Sequence, residues 1–218
     1  MKRKKKIITV AIDSPAAAGA GTQAKLIAKQ YNLLQLDTGR IYRLIGKMRL
    51  ENPKKFNYNL VKKKINKLKI NELKNRSLLS DSVAISASKI AKDKKIRSIV
   101  FNFQQKYAYN PPSKYSGSVL DGRDITSVIL KDATFKFFIT ANVKTRAKRR
   151  LREYKSHNRK ITFKEVLKSL KNRDKSDRTR KYGPLKKTKD SILINTTKLS
   201  ISQCFLKIKA IMDRKINK

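Results

Sequence analysis

A single cysteine, Cys204, excludes an internal disulfide and any multi-cysteine metal site. Its neighbours Ile201, Phe205, Ile208 and Ile211 recur at helical spacing, which predicts a thiol buried in a core. The only histidine, His157, sits among Lys155, Ser156, Asn158 and Arg159, a polar loop to which no chemistry is assigned. Long apolar runs are also missing. The basic start from Lys2 to Lys6 leads only into residues 7–12 before Asp13, too short for a secretory signal. No run approaches the roughly 18 apolar residues of a membrane span, so a cytoplasmic protein without a membrane partner is expected.

Acidic residues are scarce, 15 against 56 Lys and Arg, for a formal net charge of +41. Such an excess raises nucleic-acid binding as a candidate function. Lysine is nevertheless spread through nearly every segment, alongside abundant asparagine and isoleucine, as compositional drift toward A/T-rich codons would also produce. On either account the charge attracts polyanions, nucleotides included. Nucleic acid is thus expected only as a non-specific electrostatic associate. The length of 218 residues suits one domain, and recurrent apolar runs argue against disorder.

Along the chain, residues 7–12 read as a β-branched strand that breaks into a small-residue loop, with a helix over 23–31. Residues 33–36 read as a second strand, and Thr38 with Gly39 opens a helix to about Leu50. The lysine-rich stretch 52–75 carries a thin apolar stripe of Leu60, Ile65, Leu68 and Ile70 and reads as an excursion from the core. Residues 82–109 read as two helices meeting near Asp93 and ending before Pro111 and Pro112. Strands follow over 118–120, 134–139 and 190–195, with helices over 143–152, 162–171 and from Ser200. This alternation predicts an α/β fold: a five-stranded parallel sheet, helices on both faces, and ligands at the carboxyl ends of the strands.

The first site is the loop after strand one: Ser14, Pro15, Ala16, Ala17, Ala18, Gly19, Ala20, Gly21, Thr22. Phosphate cradles need small residues so that backbone N–H groups can approach, a helix amino end, and a hydroxyl for magnesium, here Thr22. Ser14 replaces the first glycine of the phosphate-loop pattern and Ala20 its lysine. Taken alone, the segment fits a phosphate loop and an ordinary small-residue turn equally. Asp121, Gly122, Arg123, Asp124 is a second signal, because two scarce carboxylates flank an arginine straight after a strand.

Together with 36–43, with Ala87 to Ala91 followed by Arg97, and with Arg173, Asp174, Asp177, Arg178, Arg180, Pro184 and Leu185, these segments resemble the bacterial-type cytidylate kinases. The motifs stand in the same order and run from Ile7 to the final helix. The resemblance implies a P-loop kinase fold in one domain spanning 1–218, with a monophosphate-binding insertion at about 45–112 and a short lid at about 152–162. It implies a monomer that transfers phosphate from ATP, with magnesium, to CMP or dCMP in pyrimidine nucleotide metabolism. Arg43 and Arg123 would clamp the acceptor phosphate as bidentate forks. Thr38, Arg97, Asp124 and Arg180 would read the cytosine edge, Ser88, Arg173 and Asp177 the ribose, and Tyr42 would pack beside the nucleotide. Asp121 would order magnesium water or the attacking oxygen, and Arg178 with Arg149 would offset charge on the transferring group.

Ala20 departs from that pattern, and losing one preorganised charge costs on the order of 10²- to 10³-fold in rate. Lys25, a turn beyond Thr22, is expected to point away from the loop. Three functions therefore stand: a working or impaired kinase, a non-catalytic nucleotide-binding descendant, and a basic nucleic-acid-binding protein that keeps the fold. The last predicts aromatics interleaved with basic residues, which the sequence does not cluster.

Overall fold

Five short apolar runs form one parallel sheet in a computed structural model that describes residues 7–156, 158 and 160–217. His157 lies outside the described residues. The strands are β1 (Ile8–Asp13), β2 (Leu33–Asp37), β3 (Gly117–Gly122), β4 (Phe135–Thr140) and β5 (Ile192–Asn195). They lie in the order β2-β3-β1-β4-β5. Beside them stand helices α1 (Ala20–Gln30), α2 (Thr38–Glu51), α3 (Tyr58–Lys67), α4 (Asp81–Ile90), α5 (Lys94–Tyr109), α6 (Val143–Lys155), α7 (Phe163–Thr179) and α8 (Ile201–Ile216). No described helix is long and apolar enough to cross a membrane.

Alternation along the strands sends side chains to opposite faces. Val10 and Ile12 of β1, Val119 of β3 and Phe137 of β4 pack with Ala24, Ile27, Cys204, Ile208 and Met212 on the face covered by α1 and α8. Ala11, Leu36 and Leu120 point the other way, into a cluster with α2, α3 and α5. The thiol of Cys204 is buried as expected, whereas Ile201 is exposed because it opens the first turn of α8.

Helix boundaries follow their caps. The Asp93 side chain accepts from the Ile96 N–H and separates α4 from α5 at the predicted junction. The helix expected over 162–171 runs to Thr179. It starts at a capping box of Thr162 and Glu165, and no glycine or proline interrupts it before Gly183 and Pro184. Arg173, Asp177 and Arg178 therefore ride on one rigid helix. The lysine-rich stretch buries Ile65 and Leu68 of its expected stripe, with Ile70 packed against them, in the same cluster as Leu36 and Leu120; Leu60 is exposed, and Val61 and Leu73 are buried in addition.

At the carboxyl end of β1, the buried Asp13 accepts from the Ile125 N–H (2.7 Å), the Thr126 N–H (2.9 Å) and the Thr126 hydroxyl (2.6 Å). That contact fixes the turn Ile125–Ile129 behind β3. Burial pushes the Asp13 carboxyl up to about 6 against these hydrogen bonds. β2 and β3 end side by side, with Asp37 in register with Asp121.

Candidate active site

The loop between β1 and α1 owes its shape to its backbone and to residues far away in sequence. Gly19, at φ 95°, caps α1 in a conformation that an L side chain resists, and Ala17 also adopts positive φ at 60°. Two of the loop's carbonyls are held from outside. Arg146 Nη1 donates to Ala16 O (3.1 Å) and the Thr196 hydroxyl to Ala18 O (3.0 Å). The Ser14 N–H donates to Gly122 O (3.2 Å), tying the loop to β3. Ser14, Pro15 and Ala18 are buried, Ala16, Ala17 and Gly19 half-buried. The first turn of α1 then presents its free N–H groups and the positive end of its dipole, a fit for phosphate.

No side chain of this loop adds positive charge. Ala20 is buried among the core residues of the α1 face, and Gly21 occupies the position after it, where the phosphate-loop pattern carries its hydroxyl. Thr22, the hydroxyl expected to meet magnesium, lies one residue further on and is exposed.

Opposite the loop, Asp121 is buried and its Oδ1 has no hydrogen-bond partner. Burial, followed by the neighbouring Asp37 charge, pushes the Asp121 carboxyl well above the usual range; Arg123, the Gln35 side chain and Lys25 offset part of that shift. The Thr38 hydroxyl, also buried, donates to Asp121 O (2.8 Å) and locks the start of α2 to β3.

Beyond Asp121 the side chains form two ionic groups. In the first, Asp124 pairs through Oδ2 with Arg97 and lies 3.5 Å from Arg180 Nη2. All three side chains are at least nine-tenths buried. Arg97 also stacks over the ring of Tyr42 at 5.9 Å, and burial pushes the Tyr42 hydroxyl up to about 12. Burial raises Asp124 as well, and the two arginines pull it back. Arg180 Nε donates to Gly183 O (2.6 Å). Gly183 has φ 57° and sits so close that a Cβ there would collide with the Arg97 guanidinium and the Asp124 carboxylate, so the backbone at Gly183 rests directly on the ion pair.

The second group gathers Arg43, Arg123, Arg150 and Arg173 from α2, the end of β3, α6 and α7. Arg123 Nε donates to Asp177 (2.8 Å), and Arg173 Nε lies 3.9 Å from the same carboxylate. Arg173 Nε is otherwise buried without a hydrogen bond. Burial, with the charges of Arg123, Arg43 and Arg150 added, lowers the Arg173 guanidinium to about 10. Arg43 is lowered by burial and then by Arg150, while its Nη1 donates to Leu78 O (2.8 Å). Arg150 is held by Glu153 at 2.9 Å and stacks on Tyr154 at 4.7 Å. Burial works against the Asp177 carboxylate, and Arg123, Arg173 and Arg180 outweigh it, leaving Asp177 below the usual range. Guanidiniums that repel one another and keep unused donors are an anion site in waiting.

Of the residues expected from the sequence, Thr38, Tyr42, Arg43, Arg97, Asp121, Arg123, Asp124, Arg173, Asp177 and Arg180 converge on this cleft. Ser88 is half-buried on α4, the helix packed against α2. Arg149 stands apart from both ionic groups: its guanidinium donates to the Thr196 hydroxyl (2.9 Å) and carbonyl (2.6 Å), and that hydroxyl in turn holds Ala18 O of the loop. Arg178 is exposed on the last turn of α7 and takes part in none of these ion pairs. Sequence reasoning missed Arg150 and the buried Arg146, which pairs with Asp174 at 2.5 Å. Helical spacing marks Arg149 and Arg150 alike, three and four residues beyond Arg146, and does not choose between them.

A family model described as cytidylate kinase matches residues 10–214. Cytidylate kinase of Clostridium botulinum (strain Hall) is 39% identical over 95% of this chain and 98% of its own length. That of Bartonella bacilliformis is 38% identical over 94% of each chain, and that of Fusobacterium nucleatum 38% over 89% of this chain and 92% of its own. Among solved structures, an uncharacterized protein from Eubacterium ventriosum covers 94% of this chain and 98% of its own at a TM-score of 0.57 and 19% identity, a likeness of fold.

Proposed function

The chain belongs to the cytidylate kinase family of phosphotransferases, and we propose that it transfers the terminal phosphoryl group of ATP to CMP or dCMP, giving ADP and the cytidine diphosphate. The convergence of Arg43, Arg123, Arg150 and Arg173 on one cleft beside the buried Arg97–Asp124–Arg180 group is the observation that carries this reading. The four guanidiniums suit an acceptor phosphate, so Arg150 joins Arg43 and Arg123 there, while Arg149 remains a candidate for offsetting charge on the transferring group. Asp124 and its arginines suit a base edge that presents both donor and acceptor, a site that penalises a mismatched base by leaving buried groups unpaired. Ser88 and Asp177 are the candidates for the ribose hydroxyls, and Arg178 remains available from the end of α7. The region at about 45–112 would serve as the monophosphate-binding insertion and about 152–162 as a lid that excludes water.

ATP phosphates would lie on the backbone N–H groups of residues 16–22 at the amino end of α1. An acceptor phosphate oxygen then forms the new O–P bond as the bond between the terminal phosphorus and its bridging oxygen breaks, and the cluster's fixed cations offset the spreading charge. Magnesium fits this site through Asp121, whose unpartnered buried oxygen suits a metal-bound water; when bound, the ion neutralises phosphate charge. The Thr22 hydroxyl is the other candidate on the loop.

A second reading has its own observation. The loop offers neither lysine at 20 nor hydroxyl at 21, as in a descendant that binds CMP without turning it over. A coupled assay with ATP, magnesium and CMP on the natural chain and on Ala20→Lys decides between them. Turnover by both supports the kinase. CMP binding without turnover in the natural chain, with turnover in Ala20→Lys, supports the binder. No CMP binding, with tight salt-sensitive binding to RNA or DNA, sinks both.

A further inference from the structure

We propose that Lys25 supplies the phosphate-binding cation that Ala20 does not, by reaching back along α1 over Gly21 to the corner into which Asp121 points. The inference rests on the kinase reading of the loop, and it reverses the expectation that Lys25 points away.

Lys25 follows Gly21 by four residues on α1, so the two share a face of the helix. Helical side chains lean toward the amino end and cover the turn before their own Cα. Four residues rise about 6 Å, which a four-carbon lysine stem spans. The corridor is open. A Cβ at Gly21 would lie 3.6 Å from Asp121 Oδ2 and would meet nothing else within 4 Å outside the helix itself. Any larger residue at 21 would stand in the path of the lysine.

An independent observation marks the end of that corridor as a place for a donor. Asp121 is 9% exposed, its carboxylate faces Gly21, and its Oδ1 is buried without a hydrogen bond. Buried acceptors of this kind are normally satisfied. An ammonium carries three donors, enough for Asp121 and for phosphate oxygens at the amino end of α1. Glycine at 21 thus clears the way for a cation anchored one turn further along.

Calorimetric titration of the natural chain and of Lys25→Met, with ATP and magnesium in one series and CMP alone in another, tests this. Lys25 is exposed on α1, so methionine keeps the stem and the fold and removes only the charge. The expected result is a loss on the order of tenfold in ATP affinity, the scale of one charge-assisted hydrogen bond, with CMP affinity retained. Ala20→Lys in the Lys25→Met background should restore ATP binding. An ATP loss of less than about threefold, an equal loss of CMP affinity, or no ATP binding by the natural chain overturns the proposal. Failure of CMP to bind any variant is a separate result and counts against the kinase reading instead.

Discussion

The two halves of the cleft are built from different material. On the donor side, the loop of residues 14–22 is shaped by positive φ at Ala17 and Gly19 and by carbonyls held by Arg146 and Thr196. On the proposed acceptor side, the groups facing the cleft are charged side chains, and Arg97, Asp124 and Arg180 leave little slack because each is buried against the others. A site made of backbone tolerates changes of side chain as long as its φ values and anchors persist, and a site made of buried ions does not. That difference accounts for a donor loop that departs from its pattern beside an acceptor corner that keeps its own.

Removing a carboxylate from the acceptor corner should have the largest effect. Asp124→Ala leaves Arg97 and Arg180 buried together without a counter-charge, at a cost of about 3–5 kcal/mol in folding stability and with loss of CMP binding. Urea unfolding and CMP titration check it, and retention of both would mean the corner is not the side-chain site described. On the donor side, Ala20→Lys should raise kcat by up to about 10²-fold, less whatever Lys25 already supplies, while the KM for CMP stays put. A change in KM for CMP instead would show that the halves are not separable.

Asp13 lies on the seam between the halves, and its effect depends on pH. Its folded value of about 6 stands above the ordinary 3.8, so its contribution to stability is complete below pH 3.8 and is lost as the pH rises through 6. The decline amounts to about 3 kcal/mol, in the sense of lower stability at neutral pH. Urea midpoints for the natural chain should fall between pH 4 and pH 7, and Asp13→Asn should flatten that fall. An unaltered slope in the variant would remove Asp13 as its source. The smallest contrast is on α6. Arg150→Met should weaken CMP binding about tenfold while Arg149→Met leaves it within about twofold, and the reverse order would return Arg149 to the cleft.

Strands and most helices were legible because period-2 and period-3.6 apolar patterns decide which face is buried, as Val10 and Ile12 against Ala11 illustrate. The acceptor residues stood out because carboxylates are scarce in this chain and Asp121, Arg123 and Asp124 follow a strand directly. Other features were less visible. Choosing between Arg149 and Arg150 required knowing which face of α6 packs on α7, a tertiary fact carried by Arg146 and Asp174. The end of α7 was misjudged because its last two turns are polar, and polar helix surface gives no apolar period to follow. The reach of Lys25 depends on the direction in which helical side chains lean, which spacing alone does not convey.

The anchoring of the loop also bears on its portability. Ala16 and Ala18 are held by residues 130 and 178 positions away, at the start of α6 and just beyond β5. Residues 14–22 grafted onto another strand and helix would arrive without those anchors and relax into a plain turn. A graft that also carried the equivalents of Arg146 and Thr196 would keep the loop's shape, so the unit that carries this conformation is the loop with its two distant anchors rather than a nine-residue word.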